Sequence, residues 1–365
     1  MSNRIIIAGG GTGGHIFPAI AIANALKAQD PTVDLLFIGD KKRMEMEKVP
    51  QAGYRIEGLD IAGFDRSSLI KNIGLPFLLL KSFWQVRRIL KRVRPDAVIG
   101  VGGYSSFPVL RMAQAMGIPT YIHESNSFAG RSNILLGKKA RQVFTGTSGM
   151  ERFFPPSKIL VTGNPVRGSI AGSLPDRAAA IRSFGLDPER NVLLVMGGSL
   201  GARSINEAID AGLDRILESG LQLVWQTGTT YSARAAARCA SRPGVWTDAF
   251  ITRVENAYAA SDLVVARAGA MTVAELCVVG RPTVFVPYPH AAEDHQTENA
   301  KRLADRGAAL IVKDADAVAG LVDTVLQLAG DRVRKDTMRL LMSDLAITDA
   351  DTTIARSVLS SIKSR

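Results

Sequence analysis

Short apolar runs of four to eight residues alternate with longer segments of helical character along the whole chain. In the first half the runs are IIIAG (5–9), DLLFIG (34–39), YRIEGL (54–59), DAVIGV (96–101), TYIHE (120–124) and VFTG (143–146). Most are continuously apolar rather than apolar at every second position, as expected of strands covered on both faces. The pattern restarts with NVLLVMGG (191–198), LQLVWQTG (221–228), GVWTDAF (244–250), DLVVARAG (262–269) and PTVFVP (282–287). Strands alternating with helices make parallel sheets wrapped by helices, so the chain reads as α/β, with two doubly wound Rossmann-like domains facing across a cleft. Pro155, Pro156, Gly163 and Pro165 punctuate the seam. The expected divisions are residues 1–163, residues 164–345, and a last amphipathic helix in 346–365 that packs back on the first domain.

Composition sharpens this picture in two places. The net charge of +11 lies entirely in the first half: residues 1–163 carry 22 Lys and Arg against 11 Asp and Glu, whereas residues 164–365 carry 23 of each. A basic half fits a phosphorylated ligand or an anionic membrane. Nucleic acid is disfavoured, because there is no zinc, helix-turn-helix, RGG or RNP-like signature and aromatics are only 6% of residues. Cys239 and Cys277 stand in no metal-like or C-x-x-C spacing, which argues for a reducing compartment. The opening MSNRIIIAGGG reads as a buried strand rather than a secretion signal, and a cytoplasmic location is expected.

Candidate chemistry begins at AGGGTGGHIFP (8–18), where Gly9, Gly11 and Gly14 satisfy G-x-G-x-x-G between a strand and a helix. A second turn of this kind, MGGSLGAR (196–203), opens the second half, with Gly197, Gly198, Gly201, Ser199 and Arg203 suited to an anion. Two such turns suggest two phosphate-bearing ligands at the carboxyl ends of strands. A nicotinamide enzyme is one reading. Asp40 closes the second strand where a ribose-binding acid would sit, but it lies 31 residues after Gly9, against about 20 in the usual unit, and His15 follows the glycines directly.

GGGTGGHIFP, GGYSSFP, HESNSFAGRSN, TGNPVR, GGSLGAR, ARAGAMTVAEL and VPYPHAAEDHQTENA, in this order, resemble one family from about Ile5 to Ala309. It is the MurG family of bacterial N-acetylglucosaminyltransferases, which convert lipid I to lipid II in peptidoglycan synthesis. The resemblance implies an inverting, metal-independent hexosyltransferase of the GT-B type with no cofactor. Its donor is UDP-N-acetylglucosamine and its acceptor the undecaprenyl-diphosphate-linked muramyl pentapeptide. For the donor it implies Thr12, Gly13, Gly14, Asn126, Arg167, Ser199, Ile251, Gly269, Ala270, Met271, Glu275, His295 and Gln296. Among these, Glu275 would take the ribose hydroxyls, the backbone of Ile251 the uracil, and Gln296, His295 and Asn126 the sugar. For the acceptor it implies Gly11, Thr12, Gly103, Tyr104, Ser105 and Asn133. Histidine is the natural base near neutral pH, so His15 is the first candidate to deprotonate the muramyl 4-hydroxyl, with His123 and Glu124 as alternatives or orienting partners. Leu200 and Ser125 stand where the family commonly has glutamine, and contacts at those positions do not carry over.

Between Ser67 and Arg94 large apolar side chains mingle with seven Lys and Arg, and the longest uncharged apolar run is far shorter than the ~20 residues of a spanning helix. An apolar patch ringed by cations suits an anionic leaflet, so Leu75, Leu79, Phe83, Trp84 and the neighbouring Lys and Arg are expected to hold the protein peripherally at the cytoplasmic face of the inner membrane. A glycolipid synthase transferring a hexose to diacylglycerol is the second reading. It would share the donor domain but not HESN and GGTGGH.

Overall fold

The computed structural model describes residues 2–62, 75–198 and 200–363. They form two compact units, one taking the chain to Arg167 and returning from Thr348, the other spanning Gly168–Ile347. Each is built on one all-parallel sheet.

In the first unit the strands are β1 (Arg4–Ala8), β2 (Asp34–Asp40), β3 (Arg55–Leu59), β4 (Ala97–Gly100), β5 (Thr120–Glu124), β6 (Gln142–Thr145) and β7 (Ile159–Val161), in the order β3-β2-β1-β4-β5-β6-β7. Helices α1 (Gly13–Gln29), α2 (Glu45–Gln51), α3 (Leu75–Val93), α4 (Ser106–Ala115) and α5 (Arg131–Gly137) connect them. The continuous apolarity of β1 has a direct cause. Ile5 and Ile7 enter a core cluster with α1, while Ile6 and Ala8 enter a separate one with α3 and α4. Alternate side chains on a strand point to opposite faces, so a sheet covered on both needs every position apolar.

The second unit carries α6 (Gly168–Ala171), α7 (Arg177–Ser183), α8 (Arg203–Glu218), α9 (Ser232–Cys239), α10 (Val254–Ala260), α11 (Ala270–Val279), α12 (His295–Ala304), α13 (Ala317–Gly330) and α14 (Arg332–Asp344). Its strands are β8 (Val192–Met196), β9 (Gln222–Gln226), β10 (Val245–Asp248), β11 (Leu263–Ala266), β12 (Thr283–Phe285) and β13 (Ala309–Ile311), in the order β10-β9-β8-β11-β12-β13. Trp225 is fully buried in its main core, and its indole N–H donates to Asn206 at 3.0 Å.

The last helix, α15 (Ala350–Lys363), belongs to the first unit. Ile354, Ala355, Val358 and Leu359 are buried in the cluster around α1. The Gln29 amide donates to the carbonyl of Thr352 at 2.8 Å, and Ser357 bonds Gln142 of β6 at 2.6 Å. The division between units falls after Arg167, a few residues past the glycine and proline punctuation. Gly163 still donates its N–H to Thr145 at 3.2 Å, and the Asn164 amide still donates to the carbonyl of Ser125 at 3.1 Å.

Both strand orders reverse direction once, between β1 and β4 and between β8 and β11. The carboxyl ends of those strands are where open α/β sheets bind ligands. All the glycine turns singled out in the sequence leave these four strands.

Candidate functional site

In the first unit the turns after β1 and β4 lie back to back. Gly103 has φ +82°, and a Cβ there would sit 2.3 Å from the carbonyl oxygen of Gly10. Gly102, at φ +98°, is bare where the His15 ring lies: a Cβ would come within 2.7 Å of Cδ2 and 2.8 Å of Nε2. His15 is half-buried in the first turn of α1. Its backbone N–H donates to the carbonyl of Thr12 at 3.1 Å, and the Thr12 hydroxyl lies 3.3 Å from Nδ1. One edge of the imidazole is thereby held, with the ring seated on a glycine of the neighbouring turn.

Glu45, the first residue of α2, supports this arrangement from below. It is 1% exposed. Oε2 accepts the N–H of Gly11 at 3.0 Å, and Oε1 accepts the N–H of Asp40 at 3.0 Å. Gly10 and Gly39 give it room, since a Cβ at either would fall 2.1 and 2.6 Å from its side chain. Gly11 was expected to contact the acceptor; its N–H is already committed to this internal carboxylate.

Two of the three proton-transfer candidates become supports. His123 on β5 is fully buried, with Nε2 3.3 Å from the Gly163 carbonyl and Nδ1 3.3 Å from the Ser125 hydroxyl. Burial pushes its pKa down to about 4, so the ring is neutral near pH 7 and out of reach of a substrate. Glu124 is buried and saturated with donors. It accepts from the Asn126 N–H at 3.1 Å, the Asn126 amide at 3.3 Å, the Gly130 N–H at 3.1 Å and the Asn133 amide at 2.8 Å. Asn133, expected at the acceptor, is buried and braces Glu124 instead. Tyr104 donates its hydroxyl to Asp40 and accepts from Arg43 Nε at 3.1 Å. Burial, then the bond to Asp40, raises the phenol above its ordinary value, which keeps it a donor. Ser105 beside it is buried, and the Arg167 guanidinium lies 4.5 Å over the ring of Phe17 in α1.

In the second unit the turn after β8 runs from Gly197 to Ala202; Ser199 lies outside the described residues, and Leu200 is exposed. The buried Gln226, at the end of β9, spans from this turn to Ile251. Its Nε2 donates to the carbonyl of Gly198 at 3.0 Å, and its Oε1 accepts the N–H of Ile251 at 3.0 Å. After β11, Gly269 N-caps α11 without a side-chain bond, so Ala270 and Met271 open the helix with their backbone. Arg267 anchors the approach, its Nη1 donating to the carbonyl oxygens of Val286 at 2.9 Å and Pro287 at 3.2 Å, and pairing with Asp314. Glu275 is buried and accepts from the Tyr258 hydroxyl at 3.0 Å. Gln296 accepts the N–H of Tyr288 at 3.0 Å, and His295 opens α12 beside it. Glu293 and Asp294, at φ +54° and +51°, are two successive non-glycine residues in the left-handed region, so the chain enters His295 under backbone strain.

Sequence reasoning missed Glu45, Gln226 and Arg267, which hold the turns without belonging to them. The available signal was positional: Gln226 and Arg267 sit at or just past the ends of β9 and β11, and Glu45 follows β2 by five residues.

Comparison with known proteins gives a consistent result. The glycosyltransferase family 28 N-terminal domain matches residues 5–145, and the glycosyltransferase family 28 C-terminal domain matches residues 192–351. A protein of Phocaeicola vulgatus is 49% identical over 358 residues, covering 97% of this chain and 95% of its own. One of Bacteroides fragilis is 46% identical over 360 residues, covering 98% and 95%. Both are named UDP-N-acetylglucosamine–N-acetylmuramyl-(pentapeptide) pyrophosphoryl-undecaprenol N-acetylglucosamine transferase. Among solved structures, Acinetobacter baumannii MurG is similar with a TM-score of 0.77 and 29% identity, over 98% of this chain and 99% of that one.

Proposed function

The chain belongs to glycosyltransferase family 28, and from that premise we propose that it moves N-acetylglucosamine from UDP-N-acetylglucosamine to the 4-hydroxyl of the muramyl residue of lipid I, with inversion. The names of its relatives support the substrates. The observation that carries the chemistry is the seat of His15, half-exposed on a bare Gly102 at the switch point of the first sheet, with its Nδ1 edge beside Thr12. As the muramyl oxygen bonds to the anomeric carbon, the bond to UDP breaks with its electrons going to the diphosphate. The hydroxyl proton passes to His15 Nε2. Negative charge growing on the diphosphate suits the amino end of α11 at Gly269, Ala270 and Met271, where helix amides and the macrodipole favour an anion. Glu275 is assigned to the ribose, Ile251 to the uracil, and Gln296, His295 and Asn126 to the sugar. Arg167 and Ser199 are further donor contacts, and Gly103, Tyr104 and Ser105 are acceptor contacts.

Membrane attachment through α3 is part of the same reading. Phe77, Leu80 and Trp84 are 76%, 67% and 63% exposed and share one helix face by their spacing of three and four. Arg88 lies over the Trp84 ring at 5.8 Å, and Arg87 and Lys91 continue as exposed cations. Of the side chains expected at the membrane, Leu75 and Leu79 are half-buried, and Phe83 turns toward Phe107, its ring centroid 6.4 Å away. Ser67 to Gly74 lie outside the described residues. Among those described, no helix is long and apolar enough to cross a membrane. The exposed trio, rather than Phe83, is the apolar part of a peripheral contact with the cytoplasmic leaflet.

The test is transfer from UDP-N-acetylglucosamine to a short-chain lipid I analogue. Wild-type protein is expected to transfer, and His15→Ala to lose about 10³-fold in kcat. No transfer by the wild type overturns the function; near-normal turnover by the variant overturns only the base. Serine at Phe77, Leu80 and Trp84 is expected to release the protein from anionic vesicles, and unchanged sedimentation would refute the patch.

A further inference from the structure

Resting on the acceptor named above, we propose that the acceptor's diphosphate is held in the cavity beside the glycine turn, by Lys42, Lys81 and Arg43 with the Tyr104 hydroxyl. The Gly11 amide, committed to Glu45, is then part of the scaffold beneath His15 and not a donor to the diphosphate. The cavity measures about 840 Å³ and opens at the carboxyl ends of β2 and β3, between Tyr104 on one side and Leu78 and Lys81 of α3 on the other.

Three observations converge. The first is the occupied amide. Gly11 gives its N–H to Glu45, and a phosphate drawn to that spot would meet a buried carboxylate instead of a donor. The second is charge. Among the described residues, Lys41, Lys42, Arg43 and Lys81 line the cavity against Asp40 and Asp60, an excess of two cations over carboxylates there, close to the charge of a diphosphate diester. Lys41 and Lys81 both lie 3.0 Å from Asp60, and Arg43 reaches Asp40 at 3.9 Å and Tyr104 at 3.1 Å. Hydrogen bonds from Lys41, then Lys81 and Gln85, keep Asp60 far below the usual carboxylate range, so the cluster stays charged at neutral pH. Lys42 makes no ion pair among the described residues, and its exposed ammonium remains to be matched by a ligand.

The third observation is order in space. Tyr104 touches the His15 turn: a Cβ at Gly11 would lie 3.6 Å from its ring. The far wall is α3, whose exposed Phe77, Leu80 and Trp84 begin beside the lining residues Leu78 and Lys81. The acceptor has the same sequence of parts, from sugar hydroxyl through diphosphate to isoprenoid. Leu59, Ile61 and Leu78 give the cavity an apolar side for the first isoprenyl carbons.

The decisive probe is a short-chain prenyl diphosphate, titrated into wild type and into the Lys42→Ala, Lys81→Ala double variant. Both lysines are exposed, and Asp60 keeps Lys41 and Gln85 as partners, so the melting temperature should hold. Loss of two charge-assisted contacts should weaken binding about 100-fold, and the double Lys→Arg variant should restore most of it. Equal binding by wild type and double variant overturns the proposal. In the transfer assay, the KM for lipid I analogues with and without the pentapeptide should rise together while the KM for UDP-N-acetylglucosamine stays fixed. A defect confined to the peptide-bearing acceptor would assign the cavity to peptide carboxylates and overturn the proposal, as would an equal rise in donor KM. If the wild type binds the prenyl diphosphate through these lysines yet transfers to neither acceptor, the proposed reaction fails and the anion site stands.

Discussion

The glycine turns after β1 and after β8 leave equivalent strands of two sheets whose inner order is the same, yet different partners hold them. Beneath the first turn lies a buried carboxylate, Glu45, which takes an N–H from Gly11. Beneath the second lies a buried neutral amide, Gln226, which among the described residues takes its N–H from Ile251 rather than from the turn and donates to the Gly198 carbonyl. One support therefore uses up a donor of its turn and the other uses up an acceptor. An anionic ligand has need only of donors. Two turns that look alike as glycine patterns thus differ in what they offer a phosphate, and the difference sits in residues outside the pattern.

The largest expected effect comes from removing the charged support. Glu45→Ala leaves one buried and one part-buried N–H group without its partner, and a cavity beneath Gly10 and Gly39, which should cost about 3 kcal/mol in denaturant unfolding. It should also lower kcat/KM for the acceptor with little change in donor KM. An equal rise in donor KM would mean that the two turns are not separately supported. Glu45→Gln keeps one acceptor oxygen and should fall between alanine and wild type.

Next in size is a pH effect belonging to the first unit. Burial holds His123 at about 4 in the folded protein, against about 6.5 in an unfolded chain. Above pH 6.5 the ring is neutral in both states and its contribution is fully present. Between 6.5 and 4 only the unfolded state takes up the proton, so stability falls on acidification, by on the order of 3 kcal/mol across the window. Hydrogen exchange in β5 should track this slope, and His123→Asn should flatten it. A slope of the same size in the variant would place the titrating group elsewhere.

The smallest effect is expected at the neutral support. Gln226→Ala should raise donor KM about 10-fold and leave acceptor KM alone, since one bridge between Gly198 and Ile251 is lost. Gln226→Glu sets a carboxylate against the Gly198 carbonyl and should be the worse of the two. If it binds donor as well as wild type does, the contrast between charged and neutral supports loses its meaning.

Legibility of this molecule in its sequence follows range. Inner strands such as β1, β2, β4, β8 and β11 are readable because burial on both faces forces nearly every position to be apolar, a local signal, whereas β3 and β10 at the sheet edges are only partly buried. β7 and β13 have three residues each at the sheet edges and, Ala309 apart, are half-buried or exposed, too short to stand out. The glycine turns are readable because positive φ and close backbone approach admit little else at Gly102 and Gly103. Which histidine can reach a substrate is not readable: His15 and His123 both sit in matched motifs, and only burial separates them. The same holds for Glu124 and Glu45, ordinary acids in sequence whose carboxyls are fixed by amides between 2 and 34 residues apart from them. Phe83 follows Leu80 by three residues, so spacing alone leaves it beside Phe77, Leu80 and Trp84, and only its packing toward Phe107 separates it.

The docking of α15 has a temporal consequence. Its four apolar side chains complete a core begun by β1 and α1, although the entire second unit intervenes in the chain. During synthesis the second unit has all its strands and helices before α15 emerges, so it can fold while the first still exposes the apolar groove along α1. A nascent chain stalled before Ala350 would carry that groove open, and chaperones that bind exposed apolar surface would have a target there. The unit that is made first is finished last.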